Sequence, residues 1–165
     1  DEFPSEWNGY KLNTDFRKNV IILNKTPVHS ARTEHLKYII KNGGPEIETL
    51  ISESQEWMAR ETARLHMALQ TPQLWLVGYA ELKGKGFFLK YRDTLIETYK
   101  NRGKMDFCKD NVFTFQHFSM NRFTIDLNDY IQNLPDQEKK NALSSSIKDS
   151  LFELGSLHRK EIFGV

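Results

Sequence analysis

The stretch PEIETLISESQEWMARETARLHMALQ, residues 45–70, decides the fold class. Ile47, Leu50, Ile51, Met58, Leu65 and Leu69 keep the spacing of an α-helix rather than a strand. Trp57 and Ala68 widen that stripe. Pro45 stands where a first helical turn tolerates proline, and Glu46 and Glu48 suit the positive end of the helix dipole. Glu56 and Arg60 are spaced for an i, i+4 ion pair. A helix of this kind must bury its apolar stripe against other elements, and its neighbours in the chain supply them.

Upstream, Ser30 caps a first helix over 31–42 with Leu36, Ile39 and Ile40 on one side, and Gly43-Gly44 ends it. Residues 1–30 read as irregular or extended, and Val20-Ile21-Ile22-Leu23 is their one candidate strand. Downstream, Thr71-Pro72 opens a third helix over 72–83. Leu74, Trp75, Leu76, Val77 and Tyr79 make it oily almost all round, so it is expected at the centre. A fourth helix spans 87–101 with Phe88, Tyr91, Leu95 and Tyr99, and Gly103 stops it. Residues 104–123 fit no single period, and Phe113, Phe115 and Phe118 suit either a short strand or a turn of helix. A short helix over 126–133 carries Leu127, Tyr130 and Ile131. After Pro135, a last helix over 136–159 carries Leu143, Ile147, Leu151, Leu154 and Leu157. The expected fold is all-α, a single-domain bundle of five to seven helices over residues 1–165 with an irregular N-terminal segment.

The 165 residues suffice for a core without disulfide staples, and the lone Cys108 could not form an intrachain one. No apolar run approaches the ~18 residues of a membrane span. The chain opens Asp1-Glu2-Phe3-Pro4 without Met, which fits a trimmed chain or a mature exported protein. The expected location is accordingly periplasmic or extracytoplasmic, with the cytoplasm as the alternative.

Chemistry-bearing motifs are missing from the sequence. His29, His35, His66, His117 and His158 include no i, i+4 pair, and there is no Cys-x-x-Cys, so no metal site is expected. Gly78, Gly84 and Gly86 do not make a phosphate loop, and Ser144-Ser145-Ser146 has no nucleophile elbow around it. No catalytic residue and no cofactor is therefore assigned.

Charge is the informative surface feature. Residues 46–61 carry a net −4 and residues 83–109 a net +5, within a total of +1. A near-neutral total argues against nucleic acid, because phosphate binding relies on unbalanced Lys and Arg. The basic stretch instead suits the charged rim of a protein contact, with Lys83, Lys85, Arg92, Arg102, Lys104 and Lys109 as the candidate partner-binding residues.

From Trp75 onward the order of features resembles the Tai-type immunity proteins, small helical periplasmic proteins that neutralise type VI secretion amidase effectors. The resemblance covers residues 75–160. It rests on Trp75-Leu76-Val77-Gly78-Tyr79, Phe107-Cys108, Phe113-Thr114-Phe115, Tyr130-Ile131-x-x-Leu134-Pro135 and the closing amphipathic helix. This chain departs from the family in its single Cys and in the distance from Gly78 to Gly84. The resemblance implies an exported binding protein that blocks an effector enzyme and has no chemistry of its own. Two other readings stay open. One is an extracytoplasmic ligand-sensing domain of a receptor. The other is an all-α enzyme with an Arg/Lys/Glu-lined pocket, for which Arg60, Glu61 and Arg64 are the residues to test.

Overall fold

Residues 33–68, together α1 (Thr33–Ala68), are two helical runs meeting at a kink at Gly44, whose φ of 78° and ψ of −177° are not helical, as the Gly43-Gly44 pair predicts. The helices expected over 31–42 and 45–70 are thus joined through a residue that reaches this conformation because it lacks a Cβ. The computed structural model describes residues 20–28, 30, 32–69, 73–144 and 147–165. Residues 20–23 are exposed and form no strand. The rest of the irregular segment, residues 1–19, and the Thr71-Pro72 helix start lie outside the described residues.

Beyond the break, α1 turns Ile51, Met58, Ala59, Thr62, Ala63 and His66 inward. This corrects the expected stripe, because Leu50, Trp57 and Leu69 are exposed. Ile39, assigned to the stripe of the first helix, is also exposed, whereas Leu36 is buried. Fully buried Ala59 and Ala63 mark the packed side of α1, where small side chains let another helix approach closely. That helix is α2 (Leu89–Asn101), which buries Tyr91, Leu95 and Tyr99 as their spacing predicts. Its polar groups find partners on α1. The Tyr91 hydroxyl donates to Thr62 Oγ1 at 3.1 Å, and the Tyr99 hydroxyl meets His66 Nδ1 at 2.6 Å.

The helix expected over 72–83 is absent. Leu74–Val77 is a strand, β1, followed by Gly78 in the left-handed region (φ 96°) and a 3-10 turn over Tyr79–Leu82. β1 pairs in parallel with β2 (Val112–Phe115), Leu74 opposite Val112 and Val77 opposite Phe115. The short helix α3 (Met105–Asn111) leads into β2, which settles the unassigned stretch 104–123. Among the described residues the fold is therefore mostly helical, with six helical elements and one small parallel sheet, and not all-α.

The sheet explains the misreading. Leu76 and Val112 face a core shared with Leu95 and Tyr99, whereas Phe113 and Phe115 face a second core with Phe123, Leu127 and Leu151. A strand covered on both faces is apolar at every position and loses the alternation that identifies strands.

The second core is closed by α4 (Arg122–Gln132), α5 (Asp136–Ser144) and α6 (Ile147–Phe163). α5 and α6 are helical over the stretch expected as one last helix, 136–159, and residues 145 and 146 between them lie outside the described residues. On α6, Leu151 and Leu154 are buried, but Ile147 and Leu157 are exposed. The Leu143 side chain lies outside the described residues. No helix among the described residues is long and apolar enough to cross a membrane.

α6 lies on β2 through Gly155. A Cβ there would come within 2.5 Å of Phe115 Cζ and 3.1 Å of Phe113 Cβ. Phe115 is 1% exposed and has no free space to move into. Gly155→Ala is therefore expected to lower stability by about 1–2 kcal/mol, overpacking outweighing the ~1 kcal/mol helix-propensity gain of alanine. Urea unfolding of the two proteins measures it.

Candidate functional site

The C-terminal ends of the two strands gather a group of interacting polar side chains from three elements. Gly78 donates its N–H to the Phe115 carbonyl at 2.8 Å, and its positive φ swings the chain into the 3-10 turn. That turn lays the Tyr79 ring flat on the imidazole of His158 of α6, with centroids 3.8 Å apart and planes 11° apart. The Tyr79 hydroxyl donates to Glu161 and accepts from Lys83. Lys83 also reaches Glu161 directly, at 3.0 Å. Burial and the Glu161 hydrogen bond hold the Tyr79 hydroxyl above its usual range.

His158 lies at the centre of this group. Its Nδ1 is 3.2 Å from the Thr114 carbonyl, which can only accept, so Nδ1 carries the proton. Its Nε2 faces Asp126 of α4 at 3.7 Å. Burial pushes His158 below the ordinary histidine value and Asp126 above the ordinary carboxylate value.

The neighbouring Arg159 is also buried. It donates to the carbonyls of Lys109, Val112 and Val165. Two consecutive residues of α6 thus occupy the outward carbonyls of β2, Val112 through Arg159 and Thr114 through His158. On the outer edge of β1, Lys25 donates to the Val77 carbonyl, its ammonium lying over Gly78. Burial lowers Lys25 to about 8, with the charge of Glu81 pulling the other way.

These contacts consume donors and acceptors within the fold, and their chemistry is that of a clamp. Cys108 is inert beside them, because burial pushes its thiol up to about 12. Among the described residues, no three His, Cys, Asp or Glu side chains come together in a way that could hold a metal ion.

The six basic residues expected as a rim fall into separate places. Lys83 is tied to Tyr79 and Glu161. Arg92 is bound to the Leu82 carbonyl at 2.9 Å and to Asp93 at 2.6 Å. Lys85 is exposed in the turn before α2. Arg102 and Lys104 are exposed in the turn after α2, and Lys109 is exposed on α3. The ten residues from Arg92 to Arg102 put about 15 Å of helix between the two groups.

The surface feature that the sequence did not reveal lies on the opposite side of α1. Leu50 and Trp57, seven residues apart on one line of the helix, are 55% and 56% exposed. Glu46, Glu53, Arg60 and Arg64 surround them. Arg60 pairs with Glu56 at 2.7 Å, the i, i+4 pair expected from the sequence, and Arg64 pairs with Glu61 at 2.7 Å. Trp57 makes no ring contact among the described residues. The buried alanines on the other side of the helix were the available sequence signal for this orientation. No protein-family model, curated protein or solved structure matches the chain.

Replacing Arg159 with Met keeps most of the apolar stem but strands three carbonyls, and is expected to cost about 2–4 kcal/mol in urea unfolding. The pH dependence follows from Lys25. The unfolded chain keeps that proton to near 10.5, and the folded chain releases it near 8. Between these values the unfolded state holds more of this proton, so Lys25 makes stability rise with pH, and above about 9 the buried Cys108 thiol works against it. The stability difference between the native protein and Lys25→Met is therefore expected to grow in favour of the native protein from about pH 8 upward, measured by unfolding across that window.

Proposed function

We propose that this chain is a non-enzymatic protein-binding domain whose contact surface is the outward face of α1. The supporting observation is the pair Leu50 and Trp57, an aromatic anchor and an aliphatic one held more than half in water by a well-packed helix. Single exposed apolar residues are ordinary on protein surfaces. A tryptophan in line with a leucine and ringed by charges has the make-up of an interface centre with its polar rim. Covering the exposed part of the indole would contribute on the order of 3 kcal/mol, enough to anchor a contact.

The finer form of the reading is an exported immunity protein that blocks a secreted amidase. It is supported by the resemblance that begins at Trp75. Within it, Gly78-Tyr79 follow a strand here, whereas the family carries that pair in an apolar helix. The resemblance thus bears on the class of partner and not on the packing around that pair.

A photo-reactive amino acid in place of Trp57 tests the binding surface directly. Illumination in the native cell is expected to trap one discrete protein adduct, while the same group in place of exposed Glu138 on α5 traps none. Equal labelling at both positions, or none at 57, would overturn the assignment of this face.

A further inference from the structure

We infer that the occupant of this face is a second copy of the chain, the two α1 helices lying antiparallel about a two-fold axis that passes between Glu53 and Ser54. The inference rests on the reading of α1 as a binding surface and names its partner. From Pro45 to Ala68, one exposed line of the helix carries in order Glu46, Leu50, Glu53, Trp57, Arg60 and Arg64, with Glu48 and Thr49 also exposed beside it. The face is acidic at one end and basic at the other, with Leu50 and Trp57 on either side of Glu53 between. Such a face repels a parallel copy of itself and complements an antiparallel one.

A two-fold contact is self-complementary, so whatever one copy offers at one end the other must receive. With the axis between Glu53 and Ser54, Leu50 of each copy meets Trp57 of the other. Glu46 of each copy then meets the turn that carries Arg60 and Arg64 in the other. The surface around Leu50 dips into a shallow, open depression lined also by Pro45, Glu46, Thr49 and Glu53.

The ion pairs within one copy leave room for this. Glu46 and Glu53 have no ion-pair partner among the described residues. Glu56 is held by Lys90 at 2.8 Å as well as by Arg60, so Arg60 can turn to a carboxylate of the other copy without leaving Glu56 alone. The two Glu53 carboxylates approach each other at the axis and oppose association, which gives this geometry a signature.

Sedimentation equilibrium of the full chain from micromolar to millimolar concentration tests it. A reversible dimer is expected. Trp57→Ala is expected to weaken it by about tenfold or more while leaving the urea midpoint of the dilute, monomeric chain unchanged, because the side chain is exposed in one copy. Glu53→Gln is expected to strengthen it by about two- to fivefold. Glu46→Lys alone and the double variant Arg60→Glu, Arg64→Glu alone are each expected to be monomeric, and their equimolar mixture to dimerise. A chain that stays monomeric throughout, while a photo-reactive group at 57 still traps a different protein, overturns self-pairing and leaves the binding reading standing. A monomeric chain with no adduct at 57 overturns both. A dimer unaffected by Trp57→Ala and by the charge exchange overturns the placement on α1.

Discussion

A two-stranded sheet buried on both faces has a problem that larger sheets share among more strands. Its outer edges carry carbonyl and amide groups, and those turned into protein must find partners there or destabilise the fold. On β2 the solution is α6, which meets the Val112 and Thr114 carbonyls with Arg159 and His158. The same helix supplies Gly155, whose missing side chain lets it lie against Phe113 and Phe115. The position of α6 then fixes Tyr79 by stacking, and Tyr79 fixes the turn that follows β1. Arg159 extends the arrangement to the end of α3 through the Lys109 carbonyl and to the last residue through the Val165 carbonyl. The sheet is small, yet both cores meet at it.

How much of this was legible depended on whether an element has one buried side or two. α2 and α4 each have one, and Tyr91, Leu95 and Tyr99, like Leu127 and Ile131, announce the correct period. β1 has two, and Leu74–Val77 offers four apolar residues in succession, which a helix interior would offer as well. For α1 the helix was legible, but its orientation was not. Hydrophobicity favours Leu50 and Trp57 over Ala59 and Ala63 as core residues, whereas close helix packing favours the alanines. Packing prevailed, because a neighbour that lies close to α1 leaves no space for larger side chains.

The clamp at the strand ends was out of reach for a different reason. Tyr79, Asp126, His158 and Glu161 come from three separate elements, and no local spacing connects them. Lys83 was singled out for its charge, but a lysine within reach of Glu161 and a tyrosine hydroxyl has much of that charge spent inside the fold. Net charge along a stretch of sequence does not separate cations that are already engaged from those still turned to solvent. Arg102, Lys104 and Lys109 belong to the second kind, and Arg92 to the first.

Lys25 has a consequence beyond its pH dependence. An open strand edge is a template on which a foreign β-strand can grow, and aggregation often begins in that way. β1 is only four residues long, and the carbonyl at its C-terminal end is already occupied by an ammonium group. A strand arriving from another molecule would have to displace that ammonium and would gain few hydrogen bonds in return. The lysine therefore stands guard at the end of the strand, where it makes that edge a poor template for a strand from a neighbouring molecule.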